Sequence, residues 1–569
     1  MRDGTLLRAD VWRPAGDGRH PAILQRQPYD KSNSFFATVL YGLEPLRAVG
    51  AGFALVVQDT RGCHQSDGAF APFAHEAPDG EDTIAWVAAQ PWSDGSVCMH
   101  GASYVGATQL LAATTGAPAL RALAPHLTTA EYYEHWFYVG GALQLGFACY
   151  WALGLSGTAL ARREAAGEDV AELTAELDRL KWDPTAMWSR LPLTDQPLFR
   201  ELCPAWFDWL AHPLRDEWWR ATAIDERYEA IGVPALHIGG WSDIFRDGTL
   251  DNYVGLRERA ATPAARAGQR LLMGPWAHGN PWELSGELDC GPEASQMAVD
   301  LTEVHLDFYR EALAGGPFEG PPVRIFVMGA NEWRDEDEWP IARTRVERLH
   351  LRSGGGANGL GGDGALTAAP PDGEEPPDRY VYDPRDPVPT VGGATLLQHA
   401  FVGLRSGLRD QRAVEQRADV LVYTSEPLEE DVEVTGAVRA VLVVASSAPD
   451  TDFTAKLVDV HPDGRALGVV DGILRAARRE GLDRDVPLEP ERPTELTIEL
   501  GSTSVLLRAG HRIRLEVSSS NFPRFARHPN VAGDIAAIGE SGLRTARQTV
   551  FHDAARRSWL ELPVVPARA

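Results

Sequence analysis

Val97-Cys98-Met99-His100, then Gly101-Ala102-Ser103-Tyr104-Val105-Gly106, then Ala107-Thr108-Gln109-Leu110-Leu111-Ala112-Ala113: this stretch decides the fold. A short apolar run suits a strand buried on both faces, and the alanine- and leucine-rich text after it suits a helix. Between them lies a turn of small residues centred on a serine. Strand, tight turn and helix together are the setting of a nucleophile elbow, in which small neighbours let a serine occupy a strained backbone with its hydroxyl exposed above a sheet. The strict G-x-S-x-G spacing fails, because Val105 stands two residues after Ser103 and glycine arrives only at Gly106. An ordinary Gly/Ser turn is the plain alternative.

Working outward, Leu6–Trp12 and Ala22-Ile23-Leu24 read as strands, as does Phe53-Ala54-Leu55-Val56-Val57, while Asp79–Ala89 has helical spacing. Strands alternating with helices predict a parallel sheet wrapped by helices. A serine hydroxyl needs a base, and the base an orienting carboxylate, which in such folds follow in the order Ser, Asp/Glu, His. Two further strands, Val233–Gly239 and Arg270–Met273, run into Gly240-Trp241-Ser242-Asp243 and Gly274-Pro275-Trp276-Ala277-His278-Gly279-Asn280. Asp243 and His278 thereby fall on loops at strand C-termini, where open α/β sheets gather their sites. Asp243 as the cap of a helix starting near Ile244, and His278 as a turn histidine, are the bland alternatives. His237 lies within a strand, and Asp247 and Asp251 lie deeper in helical text, so they are weaker candidates.

The rest of the chain divides into regions. The length of 569 residues predicts three to four domains at about 150 residues each. Residues 129–225 are aromatic-rich helical text and read as a cap inserted between two parts of an α/β core, 1–128 and 226–345. Beyond that, over 346–569, short alternating strands at turn-punctuated intervals predict an all-β sandwich or jelly roll; Thr454–Val460 before His461-Pro462-Asp463-Gly464 is one example. The Gly-rich run 353–364 lacks the Lys-Ser/Thr of a phosphate loop and reads as a flexible loop.

Composition narrows the function. Lys+Arg 54 against Asp+Glu 80 gives a net charge of −26, which repels a nucleic-acid backbone or an anionic membrane. Gly141–Ala161 carries no charge, but its glycines and polar residues favour a buried helix over a bilayer span. Five separated cysteines without CxxC spacing indicate neither a disulfide framework nor a thiolate zinc site, and a reducing, cytoplasmic setting fits them. No apolar signal segment opens the sequence, although the native start could lie upstream. No cofactor and no metal is called for; the expected partner is a small-molecule ester or amide, and a homodimer stays open.

Several ordered motifs are similar to one family. Arg2-Asp3-Gly4-Thr5, Pro28-Tyr29-Asp30-Lys31, Gln58-Asp59-Thr60-Arg61-Gly62, Gly101–Gly106, Gly240–Asp243, Gly274–His278, Val327-Met328-Gly329 before Glu332-Trp333-Arg334-Asp335, and Ser518–Pro523 resemble the cocaine-esterase-like (CocE/NonD) serine hydrolases, which include X-Pro dipeptidyl-peptidases and α-amino-acid ester hydrolases. The resemblance runs nearly end to end. It implies an α/β-hydrolase core, an inserted helical cap and a C-terminal jelly roll. It also implies Ser103 as nucleophile, His278 as base and then acid, Asp243 as its orienting carboxylate, and an oxyanion hole of the Tyr29 hydroxyl and the Tyr104 amide. Trp136, Trp151 and Phe245 match acyl-pocket aromatics, with generic cap-core aromatics the bland alternative, as a turn residue after Pro28 is for Tyr29. Where amino-acid ester hydrolases hold an ammonium with acidic residues, this chain has Ile244-Phe245-Arg246, so an apolar or aromatic acyl group is expected. Gln398, in Leu396-Leu397-Gln398, replaces an aromatic. The expected activity is ester hydrolysis through an acyl-enzyme. Amide cleavage of the X-Pro peptidase or β-lactam acylase type is the alternative, and a noncatalytic carbohydrate-binding protein the distant one.

Overall fold

The computed structural model describes residues 1–33, 42–396 and 406–566. Gln398 lies outside them. Nine strands form the first sheet: β1 Ala9–Trp12, β2 His20–Gln27, β3 Ala54–Asp59, β4 Ser93–Ala102, β5 Leu120–His126, β6 Leu236–Gly240, β7 Arg270–Gly274, β8 Val323–Val327 and β9 Glu332–Glu336. Their order is β1-β3-β2-β4-β5-β6-β7-β8-β9. From β3 to β8 every pairing is parallel; only the edge strands β1 and β9 pair antiparallel. Continuous apolar strands such as β3, buried at every residue, need cover on both faces. Helices α1 Glu76–Ala88, α2 Tyr104–Ala113, α4 Arg246–Arg259 and α5 Leu301–Ala314 supply it, with α3 Leu145–Ala165 belonging to the insertion between β5 and β6. Helix α2 is buried over its whole length, as a helix apolar all round must be.

The uncharged stretch 141–161 becomes most of α3, whose buried face packs into the large aromatic core of the insertion. Among the described residues no helix is long and apolar enough to cross a membrane. The rest of the insertion holds a small hairpin, Tyr138–Val139 with Ala142–Leu143, before α3 and short helices between Ala171 and Arg220 after it.

From Arg345 onward the chain is β-rich. Strands β10 Arg345–Arg352, β11 Ala365–Thr367, β12 Asp378–Tyr382, β13 Leu421–Thr424, β14 Val432–Ser446, β15 Asp452–Val460, β16 Ala466–Arg475, β17 Thr494–Leu507, β18 Arg512–Ser518, β19 Ala546–Phe551 and β20 Trp559–Val564 make an eleven-stranded sheet in the order β12-β19-β14-β20-β10-β11-β13-β18-β15-β16, with β17 on β14. The run 353–364 differs from the flexible loop its glycines suggest. Asp363 accepts from the Ser353 hydroxyl at 2.8 Å and from the Gly354 amide at 2.9 Å, while Asp378 accepts from the Ala357 amide at 2.9 Å. Carboxylates that collect backbone donors tie this loop down, a constraint glycine content alone does not reveal.

The two sheets share one apolar core. Met273 and Ile325 of the first sheet, Trp241 just past β6, and Leu250 and Tyr253 of helix α4 pack in the same cluster as Leu442, Leu457, Leu500 and Leu515 of the second sheet. The β-rich part also grips the insertion: the Arg475 amide donates to Gly140 O at 2.8 Å and the Gly146 amide to Pro523 O at 2.9 Å. A Cβ on Gly140 would meet Ile473 O at 2.1 Å, so only glycine permits this approach.

Candidate active site

The candidate side chains follow the C-terminal ends of four parallel strands: Tyr29 after β2, Ser103 after β4, Asp243 after β6 and His278 after β7. Parallel register carries all four to one rim of the sheet.

Ser103 has φ 61° and ψ −128°, a backbone that a non-glycine residue seldom adopts, and it opens helix α2. Its amide donates to His126 O at 2.9 Å, fixing the turn to β5. The two glycines act separately. Gly101 has φ 131°, and a Cβ there would lie 2.2 Å from Val105 Cγ1. Val105 therefore sits in the space that Gly101 leaves empty, which explains how the turn tolerates valine where the strict motif has glycine. A Cβ on Gly106 would meet Thr128 Cγ2 at 2.6 Å, so this glycine lets the helix approach the chain after β5.

Asp243 and His278 meet because their loops are zipped together. The Trp241 amide donates to Gly274 O and the Ser242 amide to Trp276 O, both at 2.9 Å. Side chains on Gly240 or Gly274 would collide with Trp276, at 2.3 Å from its carbonyl oxygen and 2.4 Å from its ring. His278 Nδ1 then lies 2.8 Å from Asp243 Oδ2. Asp243 Oδ1 accepts the Phe245 amide at 2.7 Å. The helix-cap reading of Asp243 does not hold: helix α4 starts at Arg246 with Phe245 at the cap position and no side-chain cap bond, so Asp243 Oδ1 closes the turn before the helix while Oδ2 orients the histidine. Asp243 is fully buried; Ser103 and His278 each keep 8% of their surface exposed.

The Ser103 side chain interacts with the Tyr29 hydroxyl. The expected link from the Ser103 hydroxyl to His278 Nε2 is not closed by a hydrogen bond among the described residues. Catalytic contacts often tighten only with substrate bound. The Tyr29 hydroxyl also accepts from Trp151 Nε1 at 3.2 Å. Burial pushes the Tyr29 phenol well above its ordinary range, so it stays a hydrogen-bond donor at neutral pH. The Tyr104 amide begins α2, where a backbone N–H has no carbonyl of its own helix to bond.

Trp136, Trp151 and Phe245 converge on the same place. Trp136 stacks on Phe245 with ring centroids 4.3 Å apart, and Phe245 meets the His278 ring edge-on at 5.2 Å. Trp151 lies 5.8 Å from Trp136. The weaker triad candidates are engaged elsewhere: His237 with Gln269, Asp247 with Arg246 and Asp251 with His135.

Sequence reasoning missed the support behind the elbow. The Tyr104 hydroxyl donates to Glu76 Oε1 at 2.9 Å, and Glu76 pairs with Arg26 at 2.8 Å, all buried. Around the pair, Gln58 accepts from Arg26 Nε at 3.0 Å and Glu76 O from Arg26 Nη1 at 3.1 Å, while Arg26 Nη2 is buried without a hydrogen-bond partner among the described residues. The available signal was Gln25-Arg26-Gln27 directly after apolar Ile23-Leu24 within one strand. The hydrogen bond from Trp151 to Tyr29 spans 122 residues and left no local trace.

Known proteins match this chain nearly end to end. The family model described as X-Pro dipeptidyl-peptidase (S15 family) matches residues 3–280, and that of the X-Pro dipeptidyl-peptidase C-terminal non-catalytic domain matches 318–561. Cocaine esterase of Rhodococcus sp. (strain MB1 Bresler) is 39% identical over 99% of this chain and 97% of its own. An aminopeptidase from a marine sediment archaeon, Thaumarchaeota archaeon, superposes with TM-score 0.81 at 25% identity, covering 100% of this chain and 95% of its own. An α-amino acid ester hydrolase gives TM-score 0.81 at 24% identity over 99% of this chain and 95% of its own. On a rim of four strand ends and relatives that cover it throughout, this chain belongs to the cocaine-esterase-like group of the S15 family, and is an enzyme, a serine hydrolase.

Proposed function

We propose that the protein hydrolyses carboxylic esters with an apolar or aromatic acyl group, through an acyl-enzyme on Ser103. The Ser103 oxygen attacks the substrate carbonyl carbon and its proton passes to His278 Nε2, whose imidazole is oriented through Nδ1 by Asp243. The oxyanion is held by the Tyr29 hydroxyl and the Tyr104 amide. His278 then protonates the departing alcohol as the carbon–oxygen bond breaks. Water attacks the acyl-serine, its proton goes to His278, and the acid leaves as the proton returns to Ser103. The observation that carries this reading is the Asp243–His278 contact of 2.8 Å on the rim that also holds the Ser103–Tyr29 pair. In the resting arrangement the Tyr29 phenol engages the serine. A substrate carbonyl that takes over this phenol frees the hydroxyl for His278.

The acyl preference is supported by the Trp136–Phe245 stack beside His278, and by Arg246 pairing with Asp247, which commits that carboxylate to a guanidinium. We read the C-terminal sheet as a jelly roll on the strength of its antiparallel pairings, and the five free cysteines as fitting a cytoplasmic protein acting on a dissolved small molecule.

The test compares wild type with Ser103→Ala in p-nitrophenyl ester turnover and fluorophosphonate labelling. Loss of labelling, with turnover down by on the order of 10⁶-fold, is expected; unchanged labelling rejects the nucleophile. Amide cleavage is favoured by the X-Pro dipeptidyl-peptidase family model. Faster hydrolysis of Ala-Pro-p-nitroanilide than of the ester would decide for it.

A further inference from the structure

We propose that Asp459, His461 and His511, on the C-terminal sheet, form a binding site for a divalent transition metal of the zinc class. The placement follows from strand geometry. Asp459 is at the end of β15 and His461 is the first residue beyond it, two positions on, which sends both side chains to the same face. Val460 pairs with Arg512 of β18, and one step further along the ladder His461 and His511 face each other, ring centroids 4.3 Å apart. The turn His461-Pro462-Asp463-Gly464 is closed by the Gly464 amide on His461 O at 2.9 Å and the His461 amide on Arg465 O at 2.8 Å, which fixes the first imidazole on a short hairpin.

The donor atoms are already near coordination distances. One candidate ligand atom from each residue lies within 4.8 Å of the other two. Zinc bonds to nitrogen and oxygen of about 2.0–2.1 Å place tetrahedral ligands about 3.4 Å apart. Asp459 Oδ2 and His461 Nε2 are separated by 3.4 Å, and Asp459 Oδ1 and His511 Nδ1 by 2.8 Å. His461 Nε2 is buried and makes no hydrogen bond, although it faces the carboxylate. Arg465 opposes a cation, but it is bridged to Asp463 at 2.9 Å, and Asp431 adds negative potential beside His511. Two imidazoles and a carboxylate, with both rings partly open to solvent, suit zinc or nickel with water completing the shell, rather than calcium or magnesium. The bound ion would pin the β15–β16 hairpin to the start of β18.

The experiment uses the full, tag-free chain stripped by a chelator and titrated with Zn²⁺ by calorimetry, with Tm and p-nitrophenyl ester turnover measured alongside. We expect saturable binding of one equivalent, a rise in Tm of several degrees, and ester turnover unchanged by stripping. His461→Ala and His511→Ala should each weaken binding by about tenfold or more and abolish the Tm rise. Asp459→Asn keeps the shape and supplies the comparison if an alanine variant fails to fold. Absence of saturable binding, or binding of equal strength in the variants, overturns the site.

Discussion

At the scale of single residues, the rim asks each side chain for one atom. The Tyr29 hydroxyl is the most exacting case, since the proposal gives it to the oxyanion while the resting protein gives it to Ser103. Tyr29→Phe is expected to lower kcat by about 10²–10³-fold with little change in KM, measured on p-nitrophenyl esters. Trp151→Phe keeps an aromatic, though smaller, ring and removes the N–H that donates to Tyr29. A net hydrogen bond of about 1 kcal/mol predicts about a fivefold loss in kcat, and an unchanged rate would show that Trp151 serves packing alone. Ser103, Asp243 and His278 were legible as candidates because each lies within four residues of the end of a strand, where local pattern points. The second task of Trp151 was not, because its partner lies 122 residues away and an indole in helical text looks like any buried aromatic.

At the scale of elements, glycines decide how closely loops approach. Gly274→Ala would push a methyl into the Trp276 ring at 2.4 Å. Such overpacking costs about 1–3 kcal/mol, and it moves the loop that carries His278. A lower Tm and a lower kcat are expected together; loss of stability with full activity would show that the loop zipper does not position the imidazole. In the β-rich part, His552 lies between Glu375 and Asp378, each at 2.9 Å. Burial opposes charge on this ring, but the two carboxylates outweigh it and raise His552 above its ordinary value. A raised folded value contributes stability that is complete below the unfolded pKa of about 6.5 and is lost as pH rises through the folded value. The Tm difference between wild type and His552→Gln should therefore be largest near pH 5–6 and shrink toward alkaline pH; a constant difference would contradict this. Strands and helices were legible from apolar runs and spacing. The tied loop at 353–364 was not, because Asp363 and Asp378 hold it from outside the glycine run or from its far end.

At the scale of the whole molecule, the division into a parallel α/β sheet, a helical insertion and a β-rich end could be read from composition along the chain. Their union could not, since it rests on apolar side chains from both sheets filling one cluster. A chain ending near residue 345 would expose Trp241, Leu250 and Tyr253, so it is expected to aggregate rather than give an active hydrolase. Soluble, active protein from that truncation would disprove the shared core. The insertion, for its part, is fastened to the β-rich part through Gly140 on Arg475 and Gly146 on Pro523. A cover bolted down in this way has no hinge at those points on which to swing open at an oil–water boundary. Ester turnover should accordingly track the dissolved monomer and pass through the critical micelle concentration without the burst that interfacially activated lipases show.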